Sequence, residues 1–194
     1  MQILQKHRPS LTIRAGHLAR QLIEKEGLHA QQVDIVPGAA GGPKGIGIQG
    51  LDQAIFGDFF APAPQRRTLI GSSIGSWRFA SILAWGAKEG TERLSNLYTN
   101  LSFHKKMSRQ EVAHICQGML IDLIQGQEQQ LVDHPDYHLA VISIKAQHIF
   151  QSDLALPLLA SVAGIIGSNA LGRKHNRLFM QRVISQPSSG QQFK

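Results

Sequence analysis

The chain has 194 residues, of which 42% are hydrophobic and 17% are charged. These proportions exclude a largely disordered chain, and the length suits one domain with a sizeable core. The formal net charge of +7 allows an acidic partner. However, the basic residues are scattered with few aromatic residues between them, so we expect no nucleic-acid partner.

A single cysteine, Cys116, excludes an internal disulfide and suits a reducing compartment. Its place in an apolar helical pattern predicts a packing role. The N-terminal residues lack the apolar segment of a secretory signal. The longest apolar run, 154–167, is shorter than the about 20 residues that a membrane-spanning helix needs. We therefore expect a cytoplasmic protein whose contact with a membrane, if any, is peripheral.

The first third of the chain predicts helix, strand and helix. Apolar residues recur with helical spacing over 11–27. Residues 33–36 predict a short buried strand, which runs directly into the glycine-rich segment 38–45. The amphipathic segment 46–56 then predicts a second helix, with Pro43 well placed for its first turn.

A second unit of the same kind follows. Residues 68–70 predict a strand, 71–75 a tight turn and 76–85 a helix. Two consecutive βα units predict a mostly parallel sheet with helices on its faces. Sites in such sheets lie beyond the carboxyl ends of the strands, so we expect both glycine-rich turns at one edge of the sheet.

The remaining segments predict more helices and a third strand. We predict helices over 91–103, from the capping box Ser108–Glu111 to near Gly126, over 154–167 and over 170–184; a turn over 133–136; and a strand over 137–144. The polar residues 185–194 predict a disordered tail, and 1–184 a single domain. The spacing of His134 and His138, on either side of a turn, does not predict a metal site.

The segment Gly71-Ser72-Ser73-Ile74-Gly75 has the Gly-x-Ser-x-Gly pattern of a nucleophile elbow. A serine that attacks a carbonyl must project from a sharp strand-to-helix bend, where the crowded backbone leaves room only for small neighbours. The helix N-terminus at this point favours developing negative charge. The pattern predicts Ser73 as a nucleophile, and the alternative is an ordinary turn with a serine as helix N-cap.

The segment 38–45 has three functional interpretations. A phosphate loop would need Ser or Thr directly after Lys44, where Gly45 stands. A dinucleotide fingerprint begins at Gly45 but lies mostly within the predicted helix. An oxyanion loop is the third: the N–H groups of Gly41 and Gly42 point into the cleft and Lys44 supplies positive charge. A glycine turn required only for close packing is the remaining alternative.

In combination, the two motifs resemble those of the patatin-like phospholipases, a family of serine lipid acyl hydrolases. The family pattern is a Gly-Gly-Gly-x-Arg-Gly oxyanion loop, a helix, a strand and then Gly-x-Ser-x-Gly. Here Ala40 replaces the first glycine of the loop and Lys44 replaces the arginine, which keeps the charge but loses the planar fork of donors. The resemblance covers residues 33–85 and is vague beyond them.

The resemblance implies a three-layer α/β/α domain with a mostly parallel sheet, and a hydrolase of lipid acyl esters that needs no metal or other cofactor. It implies that Ser73 attacks the acyl carbonyl. The N–H groups of Gly41, Gly42 and Ile74 would hold the oxyanion, with help from Lys44. Gly71 and Gly75 would shape the elbow. The expected partners are a lipid or acyl-ester substrate and, through the positive charge, an anionic membrane surface.

The family's catalytic base is an aspartate in an Asp-Gly-Gly or Asp-Gly-Ala motif, and no Asp-Gly occurs in this chain. The aspartates that follow Ser73 are Asp122, Asp133, Asp136 and Asp153. We therefore expect a patatin-like domain truncated at its C-terminal side, either as part of a longer protein or as a truncated product.

Two alternatives remain open. The order Ser73, Asp136, His148 matches a Ser-Asp-His triad, although both partners lie near one strand. A truncated or degenerate, non-catalytic protein that binds acyl groups or acts as an interaction module is the alternative from another functional class.

Overall fold

The computed structural model describes residues 11–146, 163–164, 166–167, 172 and 180–187. The chain divides into two compact units, Met1–Val33 and Asp34–Lys194. In the described part of the first unit, helix α1 (His17–Glu26) has no buried residue, and a 3₁₀ turn follows at Ala30–Gln32.

The second unit is an α/β structure whose described residues include a four-stranded sheet. Its strands are β1 (Ile35–Gly38), β2 (Arg67–Ser72), β3 (Tyr137–Ala146) and β4 (Met180–Ser185). They lie in the order β1-β2-β3-β4, with β1, β2 and β3 parallel and β4 antiparallel to β3. The predicted α/β class with a mostly parallel sheet is confirmed.

Helical segments connect the parallel strands. Between β1 and β2 lie a 3₁₀ helix (Gly42–Ile48), α2 (Gln49–Gln53) and a π-helical segment (Ala54–Phe59). Between β2 and β3 lie α3 (Ile74–Trp85), α4 (Ala87–Thr99), α5 (Arg109–Ile124) and α6 (Glu128–Val132). Ser108 caps α5 as predicted: its hydroxyl accepts from the Glu111 amide at 3.2 Å, and the Glu111 carboxylate accepts from the Ser108 amide at 2.7 Å.

Helix α3 occupies the centre of the unit, where it packs against β1, β2 and β3. Ten of its twelve residues are buried, which explains why an almost wholly apolar segment forms a helix here. Helix α4 runs back along α3. The Trp77 and Tyr98 rings lie 6.2 Å apart, and a Cβ on Gly90 would overlap the Ser81 carbonyl. Glycine at position 90 therefore allows the two helices to approach closely.

The two faces of the sheet differ in exposure. On the face toward α3, Leu69 is fully buried. On the other face, Ile35, Ile144 and Ile184 are 62%, 65% and 54% exposed. On the second face the central residue Ala140 is buried, with 2% exposed, so the exposed isoleucines lie toward the edges of that face.

Some boundaries differ from the prediction. The predicted helix over 170–184 is wrong for its last residues, because Met180–Ser185 pairs with β3 as an antiparallel strand. Val183 and Ile184 suit a strand as β-branched residues, but only the partner strand reveals the pairing. Helix α6 was not predicted, and Ser185 ends β4 instead of beginning a tail. His148, Asp153 and residues 188–194 lie outside the described residues.

Among the described residues, no helix is long and apolar enough to cross a membrane.

Candidate active site

The two glycine-rich turns lie at the same edge of the sheet. Strands β1 and β2 are parallel, and Gly38 at the end of β1 pairs in register with Gly71. The segment 38–45 continues from β1 and the elbow continues from β2, so both leave the carboxyl ends of neighbouring strands. This is the edge at which open α/β sheets form their sites.

Ser73 has the backbone of a strained turn. Its φ and ψ are 54° and −128°, and within the described part of the chain it is the one residue other than glycine with positive φ. The Ser73 carbonyl accepts from the Ser76 amide at 2.9 Å, so helix α3 begins immediately after the bend. The Ser73 side chain is exposed. A strained conformation costs free energy, and it persists because the surrounding structure enforces it.

The glycines on either side of Ser73 are required by space. A Cβ on Gly75 would overlap the carbonyl oxygen of Gly38, and a Cβ on Gly71 would lie 2.6 Å from the Cα of Ser76. Gly38 itself is covered by Phe79, whose ring would lie 2.6 Å from an added Cβ. The end of β1 therefore presses directly against the first turn of α3.

The segment 38–45 ends in a helical turn that starts beside the elbow. Gly42 has φ of 54° and begins the 3₁₀ helix, with Pro43 in its first turn. The Lys44 amide donates to the Gly41 carbonyl at 3.4 Å, and the Lys44 side chain is exposed. Because Ile74 is the first residue of α3, its N–H has no acceptor within that helix.

A buried ion pair joins the helices that carry the two turns. The Arg78 guanidinium donates to both carboxylate oxygens of Asp52, with Nε 2.6 Å from Oδ2. The two side chains are only 11% and 3% exposed. Close by, a Cβ on Gly45 would lie 2.7 Å from the Ile74 side chain. Arg78 and Asp52 thus fix α2 against α3 one helical turn beyond the elbow.

Sequence reasoning missed this ion pair. The available signals were a charged residue, Arg78, within the apolar segment that became α3, and Asp52 within an amphipathic helix. A buried charge in such a position requires a partner of opposite sign. The two residues are 26 positions apart, and no spacing rule links them.

None of the described aspartates that follow Ser73 in sequence hydrogen-bonds its hydroxyl. Asp122 is exposed on α5. Asp133 and Asp136 precede β3, and the Asp136 carbonyl accepts from the amide of Arg67, the first residue of β2. Ser73 follows the opposite end of β2, about 20 Å away for a six-residue strand. The alternative triad through Asp136 is therefore excluded by the position of that residue.

His134 lies at the same far edge as Asp136. Its Nδ1 accepts from the Asp136 amide at 3.2 Å. Burial lowers the pKa of His134, and the negative charge of Asp136 partly opposes this shift. Within the described residues, neither an imidazole nor a carboxylate hydrogen-bonds the Ser73 hydroxyl.

A mainly apolar cavity of about 370 Å³ lies along β3, the strand next to β2. At one end it is lined by Val141, which pairs in register with Gly71; at the other end it is lined by Val132 and Pro187, which also line a pocket with His134 at the far edge of the sheet. Ile124 also lines the cavity and packs against the cluster formed by Ile74, Leu94 and Leu123. The other apolar lining residues are Leu131, Val132, Leu139 and Pro187. The volume falls in the range of small-molecule pockets.

The aromatic residues of α3 have packing roles. Phe79 is buried, and Trp77 is half-buried against the Ile74 cluster. Trp85 donates from Nε1 to the Leu123 carbonyl at 2.7 Å, and the Arg93 guanidinium lies 3.7 Å from the centre of its ring. Cys116 is half-buried on α5.

No family model, curated protein or solved structure matches this chain.

Proposed function

We propose that the chain is a lipid acyl hydrolase domain of the patatin-like kind, with Ser73 as its nucleophile. The observation that carries the proposal is the backbone of Ser73: a positive φ between two glycines that tolerate no side chain, directly before the first turn of a buried helix. A simple helix N-cap needs none of this strain, because N-cap residues normally adopt extended φ and ψ.

The proposed reaction is the transfer of an acyl group to the Ser73 hydroxyl. The hydroxyl oxygen attacks the acyl carbonyl, and the N–H groups of Gly41, Gly42 and Ile74 donate to the oxyanion that forms. Lys44 adds positive charge from the exposed side of the loop. The oxyanion collapses and expels the alcohol of the ester, which takes the proton that the Ser73 hydroxyl gave up to the general base. Water then hydrolyses the acyl-serine, which releases the free acid and restores the Ser73 hydroxyl. The acyl chain is assigned to the apolar cavity of about 370 Å³, which begins beside the strand neighbouring Gly71.

The resemblance assigns the general base to an aspartate of an Asp-Gly motif, and within the described residues no carboxylate or imidazole hydrogen-bonds the Ser73 hydroxyl. A serine without a base is a poor nucleophile at neutral pH. This favours a second candidate function: an acyl-binding or interaction module that retains the elbow but does not hydrolyse a substrate.

The proposed three-layer arrangement needs a second helical layer on the sheet face that carries Ile35, Ile144 and Ile184. These three side chains are apolar and more than half exposed, whereas Ala140 in the middle of the same face is buried. A helical layer would cover the exposed isoleucines. Residues of the 154–167 segment at 163–164 and 166–167 are helical.

A fluorescent alkyl fluorophosphonate probe tests the proposal. The catalytic proposal predicts that the wild-type chain and Ser72→Ala are labelled and that Ser73→Ala is not, whereas the acyl-binding module predicts no labelling of any of the three. Ser72 is the matched control because it is the neighbouring serine and ends β2 instead of occupying the bend. A folded wild-type chain that is not labelled would contradict the catalytic proposal and favour the acyl-binding module. Labelling that persists in Ser73→Ala would assign the nucleophile elsewhere.

A further inference from the structure

The loop between α4 and α5 begins next to the proposed site. Helix α4 runs antiparallel to α3, so its last turn returns to the edge at which α3 begins. There the Tyr98 hydroxyl would lie 3.5 Å from a Cβ on Gly42, the residue that begins the oxyanion-loop helix. Residues 100–107, which we call the α4–α5 loop, therefore start next to the two glycine-rich turns.

The α4–α5 loop is basic, is exposed over residues 102–106, and carries an aromatic residue directly before its tip. It contains His104, Lys105 and Lys106 but no Asp or Glu, and all three basic side chains are exposed. The Met107 amide donates to the His104 carbonyl at 3.0 Å, which places the two lysines at the tip of a tight turn. Directly before this turn, the Phe103 side chain is 51% exposed.

The surface continues onto the oxyanion loop. Lys44 is exposed, and Ile48 one turn further along is 38% exposed. The nearest acid after the loop in sequence is Glu111, which lies in the first turn of α5, outside the loop, and whose charged carboxylate accepts from the Ser108 amide. The edge that bears Ser73 thus combines three lysines with exposed apolar side chains.

We propose that this edge docks on an anionic lipid bilayer through the α4–α5 loop, with Phe103 entering the interface and Lys44, Lys105 and Lys106 facing the headgroups. The identification of a lipid surface rests on the proposed function, because an acyl hydrolase must receive its substrate from such a surface. The chemistry also fits: basic residues near the membrane surface attract anionic lipids, and an exposed aromatic side chain adds apolar contact. A DNA duplex would meet the same positive charge, but its bases are stacked and paired, so it offers no apolar interior for Phe103.

Vesicle sedimentation tests the surface. We expect the wild-type chain to bind vesicles of phosphatidylcholine with added phosphatidylglycerol, and to bind pure phosphatidylcholine vesicles much more weakly. Each lysine near the surface contributes about fivefold to the affinity for anionic vesicles. The double variant Lys105→Gln with Lys106→Gln should therefore bind these vesicles about 25-fold more weakly. Phe103→Ser should weaken binding to them while keeping the charge preference.

The matched control removes two positive charges from the opposite edge. Arg66 is exposed directly before β2 and Lys88 is exposed in the first turn of α4, both far from the elbow. The variant Arg66→Gln with Lys88→Gln has the same net charge as the loop variant and should bind the anionic vesicles nearly as the wild type does. Circular dichroism of each variant establishes that the fold is retained.

Three results would overturn the proposal: equal binding of the wild type to both kinds of vesicle, equal losses in the loop variant and in the control, or binding to a DNA duplex that is stronger than vesicle binding and depends on the same lysines. Ser73→Ala should bind vesicles like the wild type. A chain that docks but is not labelled by the fluorophosphonate would therefore contradict the catalytic proposal and leave the docking surface standing.

Discussion

Removal of either member of the Arg78–Asp52 pair should be among the most damaging single substitutions in this protein. Both side chains are almost fully buried, and the guanidinium meets both carboxylate oxygens. Asp52→Leu leaves an unpaired buried cation, and Arg78→Met an unpaired buried anion. We expect each to lower the free energy of unfolding by about 3–5 kcal/mol.

That loss is large on the scale of whole-protein stability. The free energy of unfolding of a native domain is about 5–15 kcal/mol, so either single substitution removes a substantial part of it. For a chain of this size the melting temperature should fall by about 6–20 °C. The double variant Asp52→Leu with Arg78→Met removes both charges together, and it should be far less destabilised than the sum of the two single variants.

Urea unfolding monitored by circular dichroism measures the full double-mutant cycle. Glu89→Gln is the matched control, because Glu89 pairs with Arg93 at 2.9 Å on the surface of α4, with side chains 56% and 42% exposed. It should cost less than about 1 kcal/mol. Additive losses in the double variant, or a loss in Asp52→Leu no greater than that in Glu89→Gln, would refute the reasoning that this pair joins α2 to α3.

Two further predictions follow from the elbow and from the far edge of the sheet. Gly75→Ala should destabilise the protein by about 1–3 kcal/mol or more, because the new Cβ overlaps the Gly38 carbonyl. Gly50→Ala has open space and should stabilise it by about 0.5–1 kcal/mol in the same urea titration. Similar effects of the two substitutions would contradict the packing argument. The pKa of His134 is lower in the folded protein than in the unfolded chain. As the pH drops below about 6.5, His134 is therefore protonated more readily in the unfolded chain, and the free energy of unfolding should fall. His134→Gln should flatten that dependence in urea midpoints between pH 7 and pH 5, and an unchanged slope would assign it to another group.

The sequence by itself determined the elements around the site and their chemical character. The spacing of apolar residues, together with the glycine-rich turns, predicted the two strand–turn–helix units. The capping box of Ser108 and Glu111 predicted the start of α5. The parallel sheet followed from the repetition of those units, since parallel strands need crossovers of this kind. Gly71 and Gly75 were recognised from local pattern alone, because a tight bend between a strand and a helix restricts side chains within a few residues.

Only the tertiary structure decided what depends on residues distant in sequence. The antiparallel pairing of β4 with β3, the ion pair between Asp52 and Arg78, and the position of Asp136 at the far end of β2 all arise from contacts across the fold. The residue pattern of one segment indicates whether that segment forms a helix or a strand. It does not indicate which distant charged residue or strand will contact the segment in the folded protein. The fold supplies those partners, since burial requires each charge and each strand edge to be matched wherever the chain brings them together.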